Sequence, residues 1–294
     1  MNSTLSINFS DINTVQRQQY LQGAIGPRPI AFASTIDQNG NPNLSPFSFF
    51  NVFSANPPLL IFSPARRVRD NTIKHTLENI KEVAEVVINV VNFDMVQQAS
   101  LSSVEYSKGI NEFEKAGFTP IPSDLIKPFR VKESPVQMEC KVIQIIETGT
   151  EGGAGNLILC EVLKMHIATE VLNEKGVIDQ QKIDLVARMG GNWYCRAFGA
   201  ALFEVEKPVS SIGVGVDEIP SDVRNSKILT GNDLGMLGNV ENIPTASEIE
   251  AFKQTETFQK LQTQLAGKEN WKQIAAQQLL QKKKVAEAWQ ILLS

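Results

Sequence analysis

Three arginines just ahead of a predicted helix are the residues of this sequence whose chemistry is easiest to name. Arg66, Arg67 and Arg69 lead into Asp70 to Thr72, and apolar residues at helical spacing begin at Ile73. A guanidinium pairs with phosphate through a planar fork, and the free amides at a helix start also favour an anion. The stretch therefore predicts a phosphate site. The structural alternative is a helix cap beside solvated arginines.

A second group, of hydroxyl and amide side chains, lies upstream among apolar, strand-like runs. Ser34 and Thr35 end one run, and Ser45, Ser48 and Asn51 line the next. Hydroxyls and backbone amides at the ends of neighbouring strands can converge at a barrel rim and hold a flat, partly polar ligand. The structural alternative is that these are turn residues.

Three strands are predicted to position the two groups. Ile30 to Ile36 is β-branched and aromatic and runs into turn formers centred on Asn39-Gly40, which predicts a strand and a tight reversal. Leu44 to Phe53 predicts a returning strand interrupted at Pro46, because proline lacks the amide that a strand ladder needs. Leu59 to Ser63 predicts the third strand.

Helices, one further strand and a long connection surround this stretch. The predicted helices run from Ile12 to Leu21 after a cap at Ser10-Asp11, from a cap at Asp70 or Asn71 to about Glu82, and from Asn92 to Leu101. Val83 to Val91 predicts a central strand reached by a crossover. Ser102 to Lys127 is a polar connection whose length suits a lid or a subunit contact.

A long antiparallel hairpin is predicted further on. Val136 to Thr148 and Asn156 to Thr169 largely alternate apolar and polar residues on either side of the glycine-rich turn Gly149 to Gly155. These glycines fit neither a Rossmann nor a Walker pattern, so a hairpin turn explains them without a phosphate. Several strands with few crossover helices up to Phe198 predict a closed or nearly closed antiparallel barrel.

The composition changes beyond Phe198. Val209 to Val216 predicts one more strand or an extended arm, and Ile219 to Pro244 is rich in turn formers. From Ala246 onward the residues favour helix, and we expect two or three helices there. Their apolar residues are spaced for a buried stripe, namely Phe252, Phe258, Leu261, Trp271, Ile274, Leu279, Leu280, Trp289 and Leu292. A helical extension docked on the barrel or on a second subunit explains this region better than a cofactor role, and we place the domains at residues 1–205 and 206–294.

Charge and hydropathy exclude some classes of partner. The net charge of −4 and the pI near 5.4 argue against a nucleic-acid surface, so an anionic ligand must be met by a local arginine cluster. The first residues have no basic leader, and no apolar run is long enough to span a bilayer. We expect a cytoplasmic protein that binds neither nucleic acid nor membrane.

Cysteine and histidine are too scarce for several kinds of site. Cys140, Cys160 and Cys195 are widely scattered and show no metal-binding spacing, so we interpret them as buried small hydrophobic residues. With only His75 and His166, a zinc or iron site or a Ser-His-Asp triad has little to be built from. We expect no metal. We interpret His75, which lies close to the phosphate stretch, as a surface or packing residue and His166 as a structural one.

An ordered set of motifs resembles a known family. The motifs are PRPIAFAST at Pro27 to Thr35, NGNPNLSPFSFFN at Asn39 to Asn51, NPPLLIFS at Asn56 to Ser63, RDNT at Arg69 to Thr72, SPVQMECKV at Ser134 to Val142 and ARMGGNWY at Ala187 to Tyr194. In this order they resemble the flavin reductase-like proteins of the FMN-binding split barrel, particularly the branch with flavoredoxin and the reductase component of nitrilotriacetate monooxygenase. The resemblance covers roughly the first two thirds of the chain.

The resemblance implies a mainly β fold, an FMN-binding split β-barrel of antiparallel Greek-key type with crossover helices, followed here by a helical C-terminal extension. It implies FMN bound at a homodimer interface. By position, the residues that would hold the isoalloxazine and ribityl, largely through backbone groups, are Ser34, Thr35, Pro46, Phe47, Ser48 and Phe49. Those that would hold the phosphate end are Ser63, Arg69, Asp70 and Thr72, with Arg28 and Arg188 as further candidates that ion pairing would explain equally. Many relatives have lysine directly before the Asp-Thr pair, whereas this chain has an extra residue, Asn71.

The implied activity is hydride transfer from NADH or NADPH to the flavin, directly from nicotinamide C4 to flavin N5. Such chemistry needs orientation and stacking rather than a side-chain acid or nucleophile, so no catalytic residue is predicted. A monooxygenase or another redox protein is a candidate partner. Two alternatives stay open: an FMN-bound electron carrier without its own nicotinamide site, and an interaction module that has lost its flavin.

Overall fold

A seven-stranded antiparallel sheet forms the core of the first two thirds of the chain in the computed structural model, which describes residues 3–206 and 212–294. The strands in chain order are β1 (Ala31–Ile36), β2 (Pro42–Phe47), β3 (Phe50–Ala55), β4 (Pro58–Phe62), β5 (Glu85–Val90), β6 (Pro120–Ile121), β7 (Arg130–Val131), β8 (Val136–Glu147), β9 (Asn156–Ile167), β10 (Val186–Arg188) and β11 (Tyr194–Arg196). The sheet order is β2-β1-β5-β8-β9-β4-β3, while β6 pairs with β7 and β10 pairs with β11.

Helices flank this sheet and make up most of the C-terminal region. In chain order they are α1 (Thr14–Ala24), α2 (His75–Glu82), α3 (Val96–Leu101), α4 (Glu112–Ala116), α5 (Ser221–Arg224), α6 (Gly231–Gly238), α7 (Ala246–Lys253), α8 (Glu256–Gln264), α9 (Trp271–Leu280) and α10 (Val285–Leu293). A short 3₁₀ turn at Phe93–Met95 precedes α3, so the helix predicted over Asn92 to Leu101 is divided in two.

Strand β1 lies inside the sheet and shows why its residues are small or apolar. It pairs with β2 on one side and with β5 on the other, and all six of its residues are buried. Ala31 and Ala33 face one apolar core and Phe32 faces another, as the two-residue period of a strand requires. The predicted strand from Ile30 to Ile36 is confirmed with a one-residue difference at its start.

The strand predicted over Leu44 to Phe53 is two strands, because its halves pair with different neighbours. β2 pairs with β1, whereas β3 pairs with β4. Ser48 and Phe49 form the corner between them. As a result β2 and β3 lie at opposite ends of the sheet order.

Both predicted helix caps near the N-terminal half were misplaced. Helix α1 is capped by Asn13, whose side chain forms a reciprocal capping box with Gln16. Helix α2 begins at His75, not in the Asp70 to Thr72 stretch, because Asn71 adopts a left-handed conformation with φ of 57° that a right-handed helix excludes.

The hairpin and the long connection differ in how well they were predicted. β8 and β9 pair over nearly their whole length around the glycine turn, which confirms the predicted hairpin. The 102–127 connection contains α4 and β6, so it is more regular than its sequence indicates. Cys140 and Cys160 are buried as predicted, but Cys195 on β11 is only partly buried.

The chain divides into two compact units between Phe203 and Glu204. The second unit has its own apolar core, in which Trp289 is fully buried and donates its indole N–H to the Leu237 carbonyl over 2.9 Å. Four helices follow residue 245 rather than two or three, and α5 and α6 lie in the stretch predicted to be turns.

The predicted apolar stripe contributes to that core, with Phe252, Phe258 and Trp289 among its buried members. Residues 212–216 form no strand, and the rest of the strand or arm predicted over Val209 to Val216 falls outside the described residues. Across residues 3–206 and 212–294, no helix has the length and apolar character needed to cross a membrane.

Candidate functional site

A groove of about 640 Å³ lies on the loop that contains the three predicted arginines. We call residues 64–74, which connect β4 to α2, the arginine loop. The groove is lined by this loop, by His75 at the start of α2, and by Glu105 and Tyr106 from the long connection. The phosphate stretch predicted from sequence therefore forms a wall of an open cavity.

Arg66 is committed to the internal structure of the arginine loop. Its Nε donates to Asn71 Oδ1 over 2.6 Å, and its Nη2 donates to the Asn71 carbonyl over 2.7 Å. The left-handed backbone of Asn71 directs both acceptors to one guanidinium. The extra residue noted in the sequence thus has a structural task, because it closes the loop on Arg66.

Arg67 is partly committed to the loop and partly directed at the groove. Its Nη1 donates to the Thr72 hydroxyl over 2.8 Å and to the Ile73 carbonyl over 2.6 Å, while its Nε donates to Glu105 over 2.8 Å. Its side chain is only 16% exposed. Two acceptors within the loop therefore hold Arg67 independently of Glu105.

Asp70 organises the turn rather than offering a donor to an anion. Its Oδ1 accepts from the Thr72 hydroxyl over 2.7 Å and from the Thr72 amide over 3.1 Å. These bonds, with a smaller contribution from Arg69, lower the pKa of Asp70 to about 2. The ionised carboxylate shapes the loop, but its charge opposes a phosphate placed beside it.

Arg69 is the cation with the most accessible side chain in the groove. It is 69% exposed, and its hydrogen-bond partners within the described residues are both carboxylates: Nε donates to Asp70 over 3.0 Å and Nη2 donates to Glu105. Lys74 Nζ lies 4.0 Å from the same Glu105 carboxylate, and burial, followed by the charge of Arg67, lowers the pKa of Lys74. Burial raises the pKa of Glu105, but hydrogen bonds from Arg67 and Arg69 outweigh it and the pKa is lowered overall.

The start of α2 adds backbone donors to this cationic groove. Lys74 occupies the cap position and its side chain makes no capping hydrogen bond. The first amides of a helix lack intrahelical partners, and the helix dipole places partial positive charge there. Together with Arg69 and Lys74, these amides form a donor set suited to a phosphate group.

The glycine turn between β8 and β9 supports the arginine loop, which its sequence did not indicate. The Arg66 amide donates to the Ala154 carbonyl over 2.8 Å, and the Gly153 amide donates to the Arg66 carbonyl over 3.0 Å. A Cβ at Gly152 would lie 3.0 Å from the carbonyl oxygens of both Arg67 and Val68. The glycines therefore permit a close backbone approach as well as a turn.

A second cationic cluster, formed by Arg28 and Arg188 on paired backbone segments, has a different character. Arg28 is buried and donates to the carbonyls of Gln22, Ile25 and Met189 over 2.6, 2.5 and 2.8 Å. We call Arg28, Ser48 and Arg188 the Arg28 cluster, since Arg28 Nε also approaches Ser48 Oγ at 3.5 Å. Burial, and then the charge of Arg188, lowers the pKa of Arg28.

Arg188 donates to the Gly191 carbonyl over 2.8 Å, and its guanidinium lies 4.6 Å from the centre of the Tyr194 ring. It pairs with Arg28 through their backbones. The Arg28 cluster thus ties the end of α1 to the β10–β11 turn.

The remaining predicted contacts are spread over the sheet. The side chains of Ser34 and Thr35 are fully buried. Ser34 Oγ has no hydrogen-bond partner in the part of the chain that the structure describes, whereas Thr35 Oγ1 accepts from Asn79 over 3.2 Å. Pro46 lies in β2 opposite Phe32. The Ser34 and Thr35 hydroxyls are thus enclosed in the sheet, away from the groove.

Phe47, Phe49 and Ser63 lie near the β2–β3 corner. Phe47 is buried with its ring centre 5.5 Å from that of Phe62, whereas Phe49 is 42% exposed. Ser63 is buried, and its hydroxyl accepts from the Asn156 amide over 3.1 Å. The structure therefore brings Arg69, Asp70 and Thr72 together at the groove, but it buries Ser63 directly after the end of β4.

Three groove residues were missed by the sequence reasoning. Glu105 and Tyr106 lie more than thirty positions beyond the arginines, on the long connection, and Lys74 is the cap residue of α2. The one available signal was the length of the connection, which indicated a functional role without indicating which residues would meet the arginines.

His166 belongs to a separate polar cluster. Its Nε2 lies 2.7 Å from Glu139 Oε1, and the Glu139 carboxylate also accepts from the amides of Asp124 and Leu125. Asp124, Glu139 and His166 lie close enough together to hold a cation, but Lys164 Nζ already pairs with Asp124 over 2.5 Å. The cluster joins the long connection to the sheet.

Comparisons with known proteins agree with this fold. The family described as flavin reductase like domain matches residues 25–185. An uncharacterized protein of Halalkalibacterium halodurans is 34% identical over 209 residues, covering 70% of this chain and 98% of that protein. Nitrilotriacetate monooxygenase component B from Bacillus cereus superposes with a TM-score of 0.65 and 32% identity, over 70% of this chain and 100% of its own.

A protein of Shewanella frigidimarina with a split barrel domain superposes with a TM-score of 0.57 and 28% identity, over 67% of this chain and 95% of its own. The predicted split-barrel architecture with C-terminal helices is confirmed. In each comparison the matched protein is covered almost in full, while a substantial part of this chain has no counterpart in it.

Proposed function

Because the chain belongs to the flavin reductase like domain family, we propose that it is an NAD(P)H:flavin oxidoreductase that binds FMN with its phosphate in the arginine-lined groove. The observation that carries the proposal is the donor set at the groove. An exposed Arg69, a nearby Lys74 and the uncapped start of α2 lie together on the domain that defines the family. A phosphate monoester is the anion that this arrangement suits best.

The two ends of the proposed flavin site lie at one end of the sheet. Phe62 pairs with both Phe50 and Ile158, so the β2–β3 corner lies beside the point where the chain leaves β4 for the arginine loop. The Ser63 amide donates to the Phe49 carbonyl over 2.9 Å and joins these two segments. Ser48 and Phe49 would thus hold the ring end, and Arg69 with Lys74 the phosphate end.

In this proposal, the other predicted contact residues hold the backbone segments around the flavin site. Asp70 and Thr72 hold the turn that presents Arg69, and Ser63 holds the start of β9. Arg28 holds the β10–β11 turn near Ser48. When bound, the flavin would supply N5 as the acceptor of a hydride from a reduced nicotinamide, so the chain contributes binding and orientation rather than a catalytic side chain.

The proposal includes a homodimer. β3 is at one end of the sheet order and exposes Val52 and Phe53, which are 65% and 62% exposed, next to Phe49. An edge strand with exposed apolar side chains favours association with another surface. The Phe53→Glu variant should lower the mass measured by sedimentation velocity from dimer to monomer. A monomeric wild-type protein at micromolar concentration would contradict this part.

The activity is tested by absorbance spectroscopy. The purified protein should bind added FMN with a shift of the flavin absorbance bands, and anaerobic NADH or NADPH should then bleach the visible absorbance of the oxidised flavin. A flavin that binds but is not bleached by either nicotinamide would favour the electron carrier, which could pass electrons to a monooxygenase or another redox protein. Absence of FMN binding would overturn the proposed function.

A further inference from the structure

The carboxylate of Glu105 lies where the cations of the groove converge. It accepts from Arg67 Nε over 2.8 Å and from Arg69 Nη2, and it lies 4.0 Å from Lys74 Nζ. Glu105 reaches these groups from the long connection, 38 positions from Arg67 and 36 from Arg69. Because Glu105 is so far from the arginines in sequence, local chain geometry does not account for these contacts.

A carboxylate and a phosphate present similar oxygens to a guanidinium. We propose that Glu105 is a built-in competitor for the groove, an anionic latch that pairs with the arginines when no phosphate is bound and is displaced when a phosphate ligand enters. The inference rests on the proposed function for the identity of that ligand as FMN. It assigns to the 102–107 segment, which we call the latch segment, control of access to the phosphate site.

The contacts of Glu105 are of a kind that a phosphate can replace. The Glu105 and Arg69 side chains are 35% and 69% exposed, and ion pairs between exposed side chains contribute little to stability. A phosphate monoester carries more charge, about −1.5 to −2 near neutral pH. Exchange of the carboxylate for a phosphate therefore increases the attraction at Arg69.

The latch segment can move without breaking a sheet. Its backbone hydrogen bonds within the described chain are local, such as those from the Val104 amide to the Leu101 carbonyl and from the Tyr106 amide to the Val104 carbonyl. It is bounded by Ser102, whose hydroxyl is anchored to the Ala99 carbonyl over 2.8 Å, and by the cap of α4 at Asn111. A shift between these two anchors displaces Glu105 and leaves the sheet intact.

The alternative task for Glu105 is to position the arginines. The contacts of Arg67 argue against it, because the Thr72 hydroxyl and the Ile73 carbonyl hold the Arg67 guanidinium independently. Asp70 likewise holds Arg69 through Nε. Removal of the Glu105 charge should therefore free the cations without disordering them.

The latch role and the positioning role predict opposite changes in FMN affinity for the Glu105→Gln variant. A latch predicts that FMN binds about 10-fold more tightly to the variant, measured by quenching of flavin fluorescence, since a neutral amide competes weakly for a guanidinium. Riboflavin, which lacks the phosphate, should bind equally to both proteins. Unchanged or weaker FMN binding would overturn the latch.

Glu78→Gln is the matched control. Glu78 also lines the groove, but it pairs with Lys108 at 3.4 Å and not with the arginines. Its variant should change FMN affinity by less than about twofold, the scale of a screened surface charge. An equal gain in both variants would show a general charge effect and would also overturn the latch.

Inorganic phosphate separates this inference from the proposed function. Isothermal titration of phosphate into the wild-type and Glu105→Gln proteins should give about 10-fold tighter binding to the variant, for the same electrostatic reason. If FMN binds to neither protein, the proposed function fails, while the phosphate titration still decides the latch. Equal phosphate binding, or none to either protein, would overturn the latch.

Discussion

The first unit contains two clusters of arginines, and their guanidinium groups donate to different kinds of acceptor. In the Arg28 cluster, a buried guanidinium donates to three backbone carbonyls that are fixed in place. In the groove, the most exposed guanidinium, that of Arg69, donates its hydrogen bonds, as far as the described residues show, to the carboxylates of Asp70 and Glu105. The Arg28 donors are occupied by the fold, whereas the Arg69 donors can exchange one anion for another.

The difference separates structural arginines from binding arginines by their acceptors. A backbone carbonyl cannot leave without local unfolding, but a side-chain carboxylate on a loop can rotate away. Removal of a buried charged donor leaves several carbonyls without a partner, and each such loss is costly. Loss of an exposed guanidinium should instead affect mainly the ligand that it binds.

The largest expected effect is on the stability of the Arg28→Ala variant. Its free energy of unfolding should fall by about 3 kcal/mol, because the carbonyls of Gln22, Ile25 and Met189 lose a charged donor. Differential scanning calorimetry of the full chain measures the change as a lower Tm for the first unit.

Arg188→Ala is the comparison variant for that measurement. Within the described residues, the Arg188 side chain makes one hydrogen bond, to the Gly191 carbonyl, and one cation–π contact, with the Tyr194 ring, so its loss should cost less than half as much. Equal losses for the two variants would contradict the structural role assigned to Arg28.

The Arg69→Ala variant should lose FMN affinity and keep its stability, the reverse of what is expected for Arg28→Ala. Its FMN dissociation constant should rise by about 10- to 100-fold, the range for loss of a charge-assisted hydrogen bond, while its Tm stays close to that of the wild type. Titration by flavin fluorescence measures the affinity, and riboflavin binding should not change.

Lys81→Ala serves as a control for loss of an exposed cation. Lys81 is at the far end of α2 and pairs with Glu147 at 2.6 Å. FMN affinity in this variant should stay within about twofold of the wild type, as expected for a screened surface charge. A similar loss in Lys81→Ala and Arg69→Ala would mean that net charge, not the groove, attracts FMN.

A substitution in the glycine turn, at Gly153, should affect both the stability of the chain and FMN binding at the groove. Gly153 has φ of +93°, and a Cβ there would lie 2.8 Å from Thr14 Cγ2. Gly153→Ala should therefore lower the free energy of unfolding by about 1 to 2 kcal/mol and weaken FMN binding several-fold, because the turn supports the Arg66 backbone.

Gly176→Ala is the matched control for this strain. Gly176 also has a positive φ, of +72°, but a Cβ there meets no atom within 4 Å. It should reproduce part of the stability loss while FMN affinity stays unchanged. Equal weakening of FMN binding in both variants would contradict the supporting role of the glycine turn.

The smallest expected effect belongs to Asp70→Asn. An amide oxygen can still accept from the Thr72 amide, and removal of one negative charge beside Arg69 should shift FMN affinity by no more than about threefold. A larger loss of affinity would identify Asp70 as a direct ligand contact.

The stability difference between the wild type and the Asp70→Asn variant should change with pH in one direction. Because hydrogen bonds from Thr72 lower the pKa of Asp70 from 3.8 to about 2, ionised Asp70 stabilises the folded chain fully above pH 3.8. That contribution is lost as the pH falls through about 2. The stability difference between wild type and Asp70→Asn should therefore be constant near neutral pH and shrink only in strong acid, as urea titrations at several pH values can measure.

Local patterns allowed much of the fold to be predicted from the sequence. The β8–β9 hairpin follows from alternation around a glycine turn, and the buried members of the C-terminal stripe, such as Phe252 and Trp289, follow from helical spacing. The start of α2 could not be predicted in the same way, because the left-handed conformation of Asn71 depends on its two contacts with Arg66.

The candidate site depended more on contacts between distant residues. The sequence marked both Arg28 and Arg69 as candidates, but it could not indicate that one meets carbonyls and the other meets Glu105. Glu105 itself lies on a connection with little periodicity. Ser34 and Thr35 were chosen for their hydroxyls, whose burial depends on pairing with both β2 and β5.

The most direct test of the phosphate groove compares FMN with riboflavin on the wild-type protein. The two ligands differ only in the phosphate group, so the ratio of their dissociation constants isolates the contribution of Arg69, Lys74 and the start of α2. We predict that FMN binds at least about 100-fold more tightly, as expected for two or more charge-assisted hydrogen bonds. Equal dissociation constants for FMN and riboflavin would contradict the assignment of the groove as the phosphate site.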